Sequence, residues 1–212
     1  MKAYKHSSYE AYIEAQEKCT LNGENNIWVP DVEIEILSHH IQSHIPDPTL
    51  GLCHGVRNGY EVKKLRECLH AEERGLEIIG TELSSCAERY EHVIQWDFHN
   101  SKPEWLRQTS FIYSNSFDHA HDPRRALTEW LKCLIPNKGL LYIELFEESE
   151  EEEPTPADCL VFNIQELKEI ILSIENTFIK EVISIPPAGG QNNTNTVHNL
   201  NVVVAGTTGA VK

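Results

Sequence analysis

The chain has 212 residues, enough for one sizeable domain and short for two. Its formal net charge of −15 argues against a duplex nucleic-acid partner, because phosphate recognition runs on clustered Lys and Arg. With 40% hydrophobic and 24% charged residues the composition is that of a globular protein, and no apolar run approaches the roughly 20 residues of a membrane helix, so no membrane partner is expected.

The opening MKAYKHSSYEAYIEAQEK has no continuous apolar core, so no secretory signal is visible. Six cysteines, Cys19, Cys53, Cys68, Cys86, Cys133 and Cys159, are scattered without a CxxC pair. They fit a reduced, cytoplasmic setting with mostly buried thiols.

Residues 1–45 read as helical segments. The clearest opens at Pro30-Asp31 and carries Val32, Ile36, Leu37 and Ile41 before Pro46-Asp47-Pro48 stops it. From residue 50 to about 174, short apolar runs alternate with amphipathic stretches, the pattern of βαβ units on a mostly parallel sheet. Strands are expected at 50–53, 76–80, 92–96, 111–115 and 140–146. Helices are expected at 59–74, closed by Gly75, at 84–90, from Asp122-Pro123 onward, and after Asn163, where Glu166 completes a capping signal. Residues 178–185 and 200–205 read as two terminal strands with no helix between them, which therefore pair antiparallel. The expected architecture is an α/β, Rossmann-like sheet of mostly parallel strands with that terminal pair, flanked by helices. Residues 1–48 form an N-terminal helical cap or lid, and 49–212 the ligand-binding domain.

Open α/β sheets bind ligands beyond the carboxyl ends of their strands. After the strand at 50–53 comes Cys53-His54-Gly55-Val56-Arg57-Asn58-Gly59, where the glycines let backbone approach a ligand and the next helix offers free N–H groups. After the second strand comes Glu82, followed by Leu83; two carboxylate oxygens match a cis-diol. After the third comes Asp97-Phe98, an acceptor for an exocyclic amine beside an apolar cover. After the fourth comes Asn115-Ser116-Phe117-Asp118-His119-Ala120-His121. Alone, the glycine loop reads about as well as an ordinary tight turn, and Glu82 and each histidine read better as ordinary loop residues; their succession at consecutive strand ends is what points to a site.

In that succession the chain resembles the class I S-adenosylmethionine-dependent methyltransferases from about residue 50 to 205. The run Phe111 to Pro123 and the turn Ile135-Pro136-Asn137-Lys138-Gly139 into the fifth strand carry most of the likeness. The resemblance implies S-adenosylmethionine as cofactor and S-adenosylhomocysteine as product. It implies cofactor contacts from Cys53, His54, Gly55, Arg57, Gly59, Glu61, Glu82, Leu83, Asp97, Phe98, Asn115 and Ser116. The family's first motif is an acidic residue followed by Gly-x-Gly-x-Gly. Here Gly51 stands at the acidic position, Cys53 at the first glycine and Arg57 at the third, with Gly59 and Glu61 in place to compensate.

Methyl transfer from a sulfonium is an in-line displacement that depends mainly on alignment. An O or N acceptor can still need a base, for which His119, His121 and Asp118 are the candidates. The expected acceptor is a small molecule or saccharide. Two other readings stay open: a non-catalytic cofactor-binding or interaction protein, and, less well supported, a nicotinamide oxidoreductase, which should show G-x-G-x-x-G. A homodimer is compatible with the sequence. No metal site is expected: His40 and His44 are four apart on a helix, but no carboxylate or thiol nearby in sequence completes a ligand set. The acidic run 147–153 reads as a solvated loop.

Overall fold

In the computed structural model of the chain, residues 1–146, 152–185, 200–209 and 211 are described. The elements in chain order are β1 (Lys2–Ala3), α1 (Tyr9–Asn22), α2 (Asp31–His44), β2 (Leu50–His54), α3 (Tyr60–Cys68), α4 (Ala71–Arg74), β3 (Glu77–Glu82), β4 (Val93–Gln95), β5 (Phe111–Ser114), α5 (Pro123–Cys133), β6 (Leu140–Phe146), β7 (Leu160–Val161), α6 (Ile164–Leu172), β8 (Thr177–Ile185) and β9 (Leu200–Thr207). Seven strands make one sheet in the order β4-β3-β2-β5-β6-β9-β8. The first five are parallel, and β9 runs antiparallel to both β6 and β8. The order reverses between β2 and β5, where an open sheet forms its ligand crevice.

Successive residues on the central strands alternate between two cores. Leu52, Ile112, Leu141 and Val203 face α5 and α6, whose Leu127, Trp130, Leu131, Leu167 and Ile171 are buried against them. Cys53, Tyr113, Tyr142 and Val204 face α2 and α3, which contribute Ile34, Leu37, Ile41, Val62 and Leu65. A sheet buried on both faces is the arrangement expected of parallel strands. The helix starts follow the capping signals: the Asp122 side chain accepts from Arg125 N ahead of Pro123, and Asn163 with Glu166 forms a full capping box.

Two expectations are corrected. Residues 59–74 are not one helix: α3 ends at Cys68, and His70, at φ +51°, breaks the chain before the short α4. Residues 1–45 are not wholly helical, because Lys2–Ala3 pairs antiparallel with Leu160–Val161. The segment 1–48 is therefore stitched to the sheet domain at β1 and through the α2 core. Most of the acidic run lies outside the described residues. No helix among the described residues is long and apolar enough to cross a membrane.

Candidate active site

From β2 into the loop that follows, the chain departs from the first motif described above for visible reasons. Gly51 stands where an acidic residue is usual because the Phe111 ring of the neighbouring strand lies over it; a Cβ there would fall 2.2 Å from Phe111 Cζ. Gly55, at φ +73°, lets the loop close against β5: an added Cβ would sit 2.6 Å from Ser116 Cβ, and Ser116 Oγ donates to the Gly55 carbonyl at 3.0 Å. Arg57 takes φ +46°, a conformation that favours glycine, and its N–H donates to Glu82 Oε2 at 2.9 Å. The carboxylate thus holds the strained residue in place.

Glu82 closes β3 and is buried. Its Oε1 accepts from Ser84 N at 2.9 Å and from the Thr20 hydroxyl of α1 at 3.2 Å. A carboxylate offers about four lone-pair positions, so three are taken and one is open. Asp97, just after β4, is full: Oδ1 accepts from His99 N and Nδ1 at 2.9 and 2.7 Å, and Oδ2 from Asn100 Nδ2 at 2.9 Å and from the Tyr9 hydroxyl. Burial pushes this carboxyl up, but the bonds from His99 and Tyr9 outweigh it and hold the group at about 2. On each acid, one bond comes from a hydroxyl of α1.

Helix α1 roofs the space between these acids. Tyr12, Gln16, Cys19 and Thr20 line one side of a cavity of about 40 Å³ whose other walls are Gly55, Arg57, Glu82, Leu83, Asp97, Phe98, Ser116 and His119. Next to it, sharing Cys19, Gly55, Arg57, Ser116 and His119, lies a cavity of about 750 Å³. Its lining adds Glu61, Asn115, Asp118, Glu144, Glu152, Glu153 and Asp158, so among the described residues six carboxyl groups and one guanidinium line it. Glu61 Oε2 and Glu144 Oε1 are buried and have no hydrogen-bond partner among the described residues. Desolvation takes Glu61 to about 7 and Glu144 to about 8, although Tyr113 donates to Glu144 Oε2 at 2.6 Å.

His119 is oriented through α1. Gln16 Nε2 donates to the Ala157 carbonyl at 2.7 Å, which turns Gln16 Oε1 toward His119 Nδ1 at 3.0 Å. An amide oxygen can only accept, so Nδ1 is the donor here and Nε2 is the ring nitrogen left for other partners. That Nε2 faces Asp118 Oδ2 at 3.9 Å and Asp158 Oδ1 at 3.8 Å.

Of the residues singled out from sequence, Gly55, Arg57, Glu61, Glu82, Leu83, Asp97, Phe98, Asn115, Ser116, Asp118 and His119 line these two cavities. Four do not. The Cys53 side chain is fully buried on the α2–α3 face. His54 is buried on the other face, stacked on Trp130 at 4.8 Å and bonded through Nδ1 to Thr81 Oγ1 at 2.8 Å; burial takes it down to about 3. Gly59, at φ +72°, starts α3 and borders a separate cavity with Tyr60 and Tyr90. His121 is exposed outside α1, beside the rings of His6, Tyr9 and Tyr12.

Sequence reasoning missed Tyr9, Tyr12, Gln16, Thr20 and Asp158, which arrive from distant segments with no local signal. It also missed a carboxylate at the His40–His44 pair, where the fold places Glu181.

No protein-family model and no curated protein sequence matches the chain. Solved structures do. The 1,6-didemethyltoxoflavin-N1-methyltransferase of Burkholderia thailandensis, with 1,6-didemethyltoxoflavin and S-adenosylhomocysteine bound, superposes with a TM-score of 0.70 at 16% identity, covering 97% of this chain and 93% of its own. The plantazolicin methyltransferase BpumL, in complex with a triazolic desmethylPZN analog and S-adenosylhomocysteine, gives 0.63 at 14% identity, covering 93% and 96%. The [4+2]-cyclase SpnF gives 0.65 at 12% identity, covering 99% of both chains. Likeness at these identities speaks for architecture, and a cyclase among the neighbours underlines that architecture does not dictate reaction. With its strand order, its terminal antiparallel pair and these neighbours, the chain has the Rossmann-like fold of the class I S-adenosylmethionine-dependent methyltransferases.

Proposed function

We propose that the protein transfers a methyl group from S-adenosylmethionine to a small molecule bearing an amine. The observation that carries the cofactor assignment is the pair Glu82 and Asp97 at the carboxyl ends of adjacent parallel strands, each with one acceptor position taken by a hydroxyl of α1. When Thr20 withdraws, Glu82 has two positions for a ribose diol; when Tyr9 withdraws, Asp97 has one for the adenine amine. Leu83 and Phe98 would cover the adenine, and Gly55, Arg57, Asn115 and Ser116 would hold the methionine end. S-adenosylmethionine would supply there an electrophilic methyl group on a sulfonium.

A ligand of that class occupies roughly 300 Å³ or more, so the 40 Å³ cavity under α1 describes a closed cap. Within residues 1–48, α1 therefore acts as the lid, leaving the strand ends as the cofactor enters, while α2 stays packed in the core.

The acceptor assignment rests on the larger cavity, whose six carboxyl groups include two with buried, unpartnered oxygens. A buried unpaired polar oxygen costs free energy that an incoming ammonium would recover. Glu61 and Glu144 would ionise against the cation, and His119 Nε2, beside Asp118, would take the proton that makes the amine nucleophilic.

Incubation with methyl-labelled S-adenosylmethionine and a panel of small amines, matched alcohols and saccharides tests this reading. Label is expected in amines. Label confined to hydroxyl compounds would overturn the acceptor, and cofactor binding without transfer to any member would make the protein a cofactor-binding protein rather than an enzyme.

A further inference from the structure

The helix pair His40 and His44 lies outside the cleft, at the C-terminal end of α2, and the fold brings Glu181 of the edge strand β8 against it. His40 Nε2 is 3.1 Å and His44 Nε2 3.9 Å from Glu181 Oε1. The two imidazoles are stacked, with centroids 4.0 Å apart and planes 23° from parallel, and their ligand nitrogens and the Glu181 carboxylate oxygen all lie within 4.8 Å of one another. We propose that His40, His44 and Glu181 form a binding site for one first-row divalent cation, with zinc the best chemical match.

Three features carry this. Bonds of about 2.0–2.1 Å to a tetrahedral zinc place ligand atoms about 3.3–3.5 Å apart, and the observed separations bracket that range. The opposite nitrogen of each ring is already engaged, as ligating histidines require: His40 Nδ1 meets the Tyr142 hydroxyl at 3.1 Å, and His44 Nδ1 meets the His40 carbonyl at 3.0 Å. His44 Nδ1 also meets the Ser43 hydroxyl at 2.9 Å, so two contacts hold this ring with Nε2 on the side of Glu181. Finally, the last carbonyls of α2 and the net charge of −15 both favour a cation at this place.

The set of two imidazoles and one carboxylate leaves a fourth position to water, which suits zinc better than magnesium or calcium, whose ligands are oxygens. Bound metal would clip the end of α2 to the sheet edge. The cluster of Asp118, His119 and Asp158 also gathers possible ligands, but it belongs to the acceptor cavity already described.

The full-length chain, stripped with chelator and dialysed, is titrated with zinc by calorimetry and analysed for metal content. Binding of one zinc per chain is expected, with a rise in melting temperature that chelator reverses. Glu181→Gln, an exposed and structurally mild change, and His44→Ala should each weaken it tenfold or more. Tyr142→Phe keeps the ring in the core and removes only the hydroxyl that orients His40, so a weakening of roughly 10–100-fold is expected. Absence of zinc binding overturns the proposal. So does binding unchanged in Glu181→Gln and His44→Ala but lost in His119→Ala, which would place the ion in the acceptor cavity.

Discussion

Replacing His119 with alanine should slow methyl transfer by roughly 10²–10⁴-fold while leaving S-adenosylhomocysteine affinity at the wild-type level. The reasons are positional. His119 lines both cavities, and its Nε2 is turned toward the acceptor cavity by the bond from Nδ1 to Gln16. The Gln16 amide is itself locked by the Ala157 carbonyl. Asp118 and Asp158 stand close enough to stabilise the imidazolium formed when the proton arrives. His121, exposed beyond α1, should tolerate alanine with turnover unchanged. Single-turnover rates of the two variants, measured across pH, separate the roles. Full turnover in His119→Ala would reduce catalysis to alignment, and a loss in His121→Ala alone would invert the assignment.

The second large effect is on stability. Folding raises Glu144 from an ordinary 4.5 to about 8, because burial disfavours its charge. A raised folded-state value means that the folded chain holds a proton the unfolded chain has released. The contribution is therefore complete below about pH 4.5 and is lost as pH climbs through 8, by about 1.4 kcal/mol per pH unit inside that window. Glu144→Gln removes the titration and keeps a carbonyl oxygen for the Tyr113 hydroxyl. The variant should gain on the wild type steadily from pH 5 to pH 8, by a few kcal/mol in all. Denaturant midpoints at pH 5, 6.5 and 8 measure it, and parallel pH profiles for the two proteins would show that Glu144 is ionised in the folded state throughout. In the proposed function the same group meets the acceptor's cation, so amine binding should release protons below pH 8.

The order of strands and helices was legible because each apolar run is bounded by a cap or turn that acts locally, such as Asp122-Pro123, Asn163 with Glu166, and Gly75. Glu82 and Asp97 were legible for the same reason: a strand end is a sequence position. What α1 does to them was not. Thr20 and Tyr9 reach acids 62 and 88 residues away, and a hydroxyl on an amphipathic helix carries no mark of its distant partner. The first motif illustrates the reverse problem. Cys53 and His54 sit where a glycine-rich loop is usual, yet β2 continues through His54 and alternation sends the two side chains into opposite cores. Glu144 did leave a trace, as the lone charge in the strand LLYIELF, but whether such an acid is paired or orphaned depends on neighbours from other strands. Glu181, completing the pair on α2, comes from the far edge of the sheet.

The central claim is that S-adenosylhomocysteine binds between Glu82 and Asp97 at the positions now occupied by the α1 hydroxyls. Calorimetry tests it with S-adenosylhomocysteine and NAD titrated into the wild type and into the Tyr9→Phe/Thr20→Val double variant. One S-adenosylhomocysteine should bind per chain, NAD should not, and the double variant should bind at least about tenfold more tightly, since two charged hydrogen bonds, from Tyr9 to Asp97 and from Thr20 to Glu82, no longer have to be broken and even about 1.4 kcal/mol between them is tenfold. No binding of S-adenosylhomocysteine, binding of NAD in its place, or weaker binding by the double variant would contradict it.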